Sequence, residues 1–134
     1  MKRIFLDTNI VLDLLAHRMP FYTAAAKLFS LADKKKIKLS ISALCLADIN
    51  YILSKQYPET EVRKILRKFK VLVTVLPLDD KIIDLALNSE FRDFEDAIQY
   101  LTAIESDQDL IVTRNQTDFK ESKIPVMTAG EFIK

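Results

Sequence analysis

Short apolar runs alternate along this chain with longer stretches in which apolar residues recur every three or four positions. The first run, Ile4-Phe5-Leu6, stops at Asp7. Unbroken apolar runs of this length suit strands buried on both faces, and the three-to-four spacing suits helices with one buried stripe. The pattern predicts a strand over 3–7 and a helix over 9–16. Pro20 opens a second helix that carries Ala24, Ala25, Leu28, Phe29 and Leu31 to about 34. Ile37 to Ile41 reads as the next strand, and Ser42 is placed to cap a helix over 43–56. Pro58 and Glu59 begin a helix to about 69, with the stripe Val62, Ile65, Leu66 and Phe69. The β-branched run from Val71 to Leu76 is a third strand. Helices over 79–89 and 94–106 follow, then a strand over 109–113, a helical turn over 116–119, a short strand over 124–127 and a helix over 129–133. Strands alternating with amphipathic helices predict an α/β fold. The expected architecture is a three-layer α/β/α sandwich with a mostly parallel sheet of roughly five strands, residues 1–134 forming a single domain.

Composition narrows the chemistry. The chain has 134 residues, 49% hydrophobic and 29% charged, the balance of a globular protein with a sizeable core. No apolar run approaches the ~20 residues that cross a bilayer, and the first residues lead into an acidic turn, unlike a signal peptide. A cytoplasmic protein with no membrane partner is expected. Cys45 and His17 are the sole residues of their kinds, so a disulfide and a cysteine-rich zinc site are excluded. Any metal must be held by oxygen, which favours Mg²⁺ or Mn²⁺. Gly130 is the single glycine, which removes the Gly-rich loops that cradle nucleotide phosphates. Net charge is +1. Two basic runs stand out, Lys34-Lys35-Lys36 with Lys38, and Arg63, Lys64, Arg67, Lys68 and Lys70 on the outer face of a helix. A solvated face explains the second run most simply, and phosphate binding competes only if an acidic site nearby processes nucleic acid.

Acids and amides gather at the strand ends, where open α/β sheets bind ligands. Asp7-Thr8-Asn9 follows the first strand. Leu110-Ile111-Val112 runs into Thr113-Arg114-Asn115, with Asp118 close behind. Asp48 lies beside the stripe of Cys45, Ile49, Ile52 and Leu53, where a carboxylate is costly without compensation. In Asp93-Phe94-Glu95-Asp96, Asp93 suits a helix cap and Glu95 the first turn, while Asp96 sits beside the inward stripe and is the functional candidate. Asn115 is placed to cap the turn carrying Asp118. Thr8 and Thr113 are natural donors to carboxylates. Asp13, Asp79, Asp80, Asp84, Asp107 and Asp109 read as solvent-facing or capping acids, and His17 as a loop residue.

Taken in order, Asp7-Thr8-Asn9, an acid in the third helix, Asp96-Ala97, and Thr113-Arg114-Asn115 with Asp118-Phe119 resemble the PIN domain. More narrowly, they resemble the VapC-like ribonucleases of bacterial and archaeal toxin–antitoxin pairs, over essentially the whole chain. The resemblance implies a metal-dependent endoribonuclease that hydrolyses RNA phosphodiester bonds with Mg²⁺ or Mn²⁺. It places the acidic quartet at Asp7, Asp48, Asp96 and Asp118, both catalytic and metal-binding. Thr8, Asn9, Thr113, Asn115 and Asp93 are the supporting polar groups. It also implies a homodimer inhibited by a cognate antitoxin, with Arg114 and the 63–70 face as candidate contacts for RNA or antitoxin. One departure is Asp48, where the family usually has Glu; a side chain one methylene shorter shifts the metal or calls for a bridging water. The alternative is a PIN-fold module that binds RNA or a protein without cutting. A haloacid-dehalogenase-type phosphatase wants an acid at position 9, where this chain has Asn9. A phospho-receiver wants one after the third strand, which ends in Leu76-Pro77-Leu78.

Overall fold

The computed structural model describes all 134 residues. Five strands, β1 (Lys2–Leu6), β2 (Ile37–Ser42), β3 (Val73–Leu76), β4 (Leu110–Val112) and β5 (Val126–Met127), form one sheet in the order β3-β2-β1-β4-β5. Every neighbouring pair is parallel. Seven α-helices accompany them: α1 (Thr8–Leu15), α2 (Tyr22–Asp33), α3 (Ala43–Leu53), α4 (Glu59–Phe69), α5 (Asp80–Leu87), α6 (Phe94–Glu105) and α7 (Ala129–Phe132). A turn of 3₁₀ helix over Gln116–Phe119 joins β4 to β5.

Strand alternation divides the core into two layers. Ile4, Leu6, Leu39, Ile41, Leu110 and Val112 pack on one face with residues of α1 to α4 and with Ala129 of α7. Phe5 and Ile111 point the other way, against Tyr100 and Ala103 of α6 and against Phe119. Ile82 and Ala86 of α5 meet Ala97 and Ile98 of α6 in a further apolar patch on that side. The buried stretches Ile4–Leu6 and Leu110–Val112 are therefore apolar at every position, because they have helices on both faces.

The predicted elements are present in their predicted order. The third strand begins two residues later than its β-branched run suggests. Its ladder with β2 starts only at Leu39 and Val73. Before that point Val71 has no strand partner and is 84% exposed, and Lys70–Leu72 turn as 3₁₀ helix instead. The fifth strand is likewise cut to two residues, because only Ile111 and Val112 of β4 are available to pair with it.

Candidate active site

The strand order creates the site. From β1 the chain moves through β2 to β3 on one side and then returns across β1 to β4 and β5. The crevice at such a reversal, beyond the carboxyl ends of β1 and β4, is where open α/β sheets hold ligands. Leu6 and Val112 are paired in the ladder, so the residues that follow them, Asp7 and Thr113, stand side by side. Asp7 caps α1, accepting from the Thr8 amide at 2.9 Å. Its other oxygen accepts from the Thr113 hydroxyl at 2.7 Å. Thr113 Oγ1 in turn accepts from the Asn115 amide at 3.0 Å, which folds the β4 loop back over the crevice. Asp7 is only 8% exposed. Burial pushes its carboxyl above the ordinary range, with Asp118 adding to the rise; Thr113, Thr8 and Arg114 pull against it.

Helix α6 crosses above this point with Asp96 in its first turn. Asp93 caps the helix, accepting from the Asp96 amide at 3.0 Å, as its sequence position suggests. Asp96 is pushed up to about 7 by burial first, and then by the charges of Asp93, Asp118, Asp7 and Glu95. One turn on, Gln99 is buried and ties three elements together. Its Oε1 accepts from Ser42 Oγ at the end of β2 (2.7 Å), and its Nε2 donates to Thr8 Oγ1 at the start of α1 (3.3 Å). Ser42 also caps α3 through the Cys45 amide. Cys45 beneath it is fully buried, and burial pushes its thiol up to about 12, so it is no nucleophile at neutral pH.

Asp7, Thr8, Asn9, Asp48, Glu95, Asp96, Gln99 and Asn115 line one cavity of about 330 Å³, closed on its apolar side by Leu12, Tyr51 and Ile52. Asp48 comes from α3 and meets the carboxyl of Glu95. Burial first, then the charge and hydrogen bond of Asp48, hold Glu95 above the ordinary carboxylate range. Asp118 stands on the other side of Asp96, with Asp93, in a neighbouring cavity of about 370 Å³ that shares Asp96 with the first. Asp7 and Asp118, two of the other sequence-predicted acids, thus act on Asp96 directly, and the third, Asp48, lines the same cavity beside Glu95. No three acidic, His or Cys side chains already converge as a finished ligand set. A hard cation that keeps part of its water shell can be met by such a cluster without every carboxylate touching it.

Two sequence expectations need correction. Asn115 starts the 3₁₀ turn but its side chain makes no cap and lines the cavity instead, while its backbone N–H donates to Thr113 Oγ1. Asp13 is not a solvent-facing acid. It is 1% exposed and ion-paired with Arg114, whose Nη2 donates to Asp13 Oδ1 at 3.1 Å and whose guanidinium lies 3.9 Å from the centre of the Phe21 ring. The sequence reading also missed Glu95, Gln99 and Tyr51 as lining residues. Gln99 follows Asp96 by three positions and so shares its helix face, a signal that was available. Tyr51 stands likewise three residues after Asp48.

Comparison with known proteins adds a lineage to this geometry. A family model described as PIN domain matches residues 3–117. Ribonuclease VapC1 of Aquifex aeolicus (strain VF5) is 26% identical over 141 aligned positions, covering 99% of this chain and 94% of that protein. The crystal structure of VapBC2 from Rickettsia felis, bound to a DNA fragment from its promoter, superposes with a TM-score of 0.67 at 23% identity, covering 93% of this chain and 96% of that one. Mycobacterium tuberculosis VapC20, described as a sarcin–ricin loop cleaving toxin, superposes with a TM-score of 0.62 at 16% identity, over 81% of this chain and 86% of that one.

Proposed function

The chain belongs to the PIN-domain family, and from that premise we propose that it is a metal-dependent endoribonuclease, the toxin of a toxin–antitoxin pair. The observation that carries this reading is the strain on Asp96. Its carboxyl is held at about 7 by burial and by neighbouring acids, an arrangement costly to the fold. A divalent cation would relieve that repulsion. The donor set is all oxygen, which suits Mg²⁺ or Mn²⁺.

Asp7, Asp96 and Asp118 would hold the ion, with Asp48 as a further ligand or a group that orients water. Bound there, the metal supplies an activated water and offsets charge on the phosphate. The chain's own groups do the rest. Thr8 and Thr113 each occupy one lone pair of Asp7, fixing its plane while leaving a lone pair on each oxygen free. Asp93 fixes the first turn of α6 and so the direction of Asp96. Asn9, in the first turn of α1, and Asn115, in the loop after β4, present amide groups to the cavity. Asp48 and Glu95 together span the far wall, which compensates for the shorter reach of Asp at position 48. RNA is the proposed substrate. A homodimer and a cognate antitoxin are the proposed partners, with Arg114 as a contact that bound RNA or antitoxin would have to draw away from Asp13.

The second reading is a PIN-fold module that binds without cutting, and Asp48 in place of the usual Glu is what favours it. Incubation of total RNA with purified protein and Mn²⁺ separates the two. Cleavage should fall by at least about a hundredfold in Asp7→Asn and in Asp96→Asn, and vanish with excess chelator. Equal cleavage by wild type and Asp7→Asn would refute the metal-nuclease reading, and calorimetric absence of Mn²⁺ binding would favour the inert module.

A further inference from the structure

The two cavities that meet at Asp96 differ in chemistry. The first is lined by no cation at all. Beyond its acids it offers the side-chain amides of Asn9, Gln99 and Asn115, and the ring of Tyr51. Tyr51 is 61% exposed, an unusual placement for an aromatic ring at the rim of an acidic cleft, and Lys55 Nζ sits 4.8 Å from its ring centre. The second cavity sets Arg92 and Lys120 among Asp93, Asp96, Asp118 and Glu121. The molecule's three ion pairs join Arg63 to Glu59, Lys81 to Glu105 and Arg114 to Asp13. Arg92 and Lys120 therefore have no carboxylate partner, although Asp93 and Glu121 are their immediate neighbours in sequence.

An aromatic face with amide donors and acceptors suits a nucleobase, since every base has a π-face to stack and an edge to hydrogen-bond. A pair of uncommitted cations suits a phosphate. We infer that the site is divided at Asp96 into a base subsite, where Tyr51 stacks the nucleobase on one side of the scissile linkage, and a phosphate subsite, where Arg92 and Lys120 hold the backbone on the other. This assignment rests on the nuclease reading above. It makes the enzyme prefer unpaired RNA, because a base stacked on Tyr51 cannot remain in a duplex. It also makes the first cavity, with its amide edges, the place where sequence preference arises. The cations also solve an approach problem. A polyanion entering a cluster of acids is repelled, and Arg92 and Lys120 are placed where its next phosphate would arrive.

The test begins with a short random-sequence RNA pool cut by wild-type protein in Mn²⁺, whose products define the preferred linkage. A single-stranded oligonucleotide carrying that linkage is then used for kinetics. Tyr51→Ala should raise KM about tenfold, with kcat changing less, and Tyr51→Phe should recover most of the loss. Replacing the adjoining nucleotide by an abasic one should raise the wild-type KM to a similar extent and leave Tyr51→Ala almost unchanged, the non-additivity expected of one shared contact. The double variant Arg92→Gln/Lys120→Gln should flatten the dependence of log KM on log salt by about 1.4, two phosphate contacts at ~0.7 each for a single strand. Wild-type cleavage with an unchanged KM in Tyr51→Ala, or with additive effects of Tyr51→Ala and the abasic substitution, overturns the base subsite. An unchanged salt slope overturns the phosphate subsite. In each of those outcomes the nuclease reading stands. Failure of wild type to cut any RNA removes that reading and the subsites with it.

Discussion

Asp13 is held 1% exposed on α1, and its charge is met by Arg114 from the loop after β4. Burial pushes its carboxyl above the ordinary range even with Arg114 beside it. Removing Arg114 would leave a buried acid with no ion-pair partner and only the weaker pull of Arg18. Arg114→Met should lower stability in urea unfolding by about 2–3 kcal/mol, and a second change, Asp13→Asn, should restore much of it. Asp96 gives a pH prediction of opposite sense to the usual acid. Its folded carboxyl titrates at about 7, above the ordinary value of 3.8, so the folded state holds a proton that the unfolded state releases. Stability of metal-free protein should therefore be fullest below pH 4 as far as this group is concerned. It should fall as pH rises toward 7 and level off above it. Thermal melts in chelator between pH 5 and 8 should show that decline in wild type and a shallower one in Asp96→Asn. An identical decline in both would mean that Asp96 is not the group responsible.

Helix α6 carries the cap, the central acid and the buried amide of the site on one face. Losing the cap should loosen the turn that aims Asp96. Asp93→Ala is expected to cost about 1 kcal/mol in urea and to weaken Mn²⁺ binding by calorimetry; unchanged Mn²⁺ affinity would reduce Asp93 to a cap alone. The cap was legible in the sequence because it acts three residues away. The face that Gln99 shares with Asp96 was legible too, but its bonding was not, because its partners Ser42 and Thr8 lie 57 and 91 positions distant, and nothing local marks a glutamine as a hub. The start of β3 shows the same limit. Val71 has the composition of a strand, but strand ends are set by where the neighbour's ladder begins.

Across the whole molecule, the cluster of acids opposes folding, and on the proposed function a bound metal would favour it. Any ion that binds the folded state alone raises stability by mass action. Mn²⁺ at a hundredfold excess over its dissociation constant should add about 2.7 kcal/mol and raise Tm on the order of 10 °C for a domain of this size. A Tm indifferent to Mn²⁺ would count against a metal centre. The basic residues of α4 are exposed, as their pattern implied, and Arg63 is paired with Glu59.

The sequence alone determined the order of elements, the unbroken apolar runs Ile4–Leu6 and Leu110–Val112 that demand helices on both faces, and the residues at each strand's end. Those follow from local periodicity and from capping chemistry, both readable within a few positions. Only the tertiary structure decided which ends meet. The order β3-β2-β1-β4-β5 sets Asp7 beside Thr113, buries Asp13 against Arg114, and brings Glu95 to Asp48. Pairing across that many residues depends on how the sheet is laid out, and a strand's composition does not say which neighbour it will have.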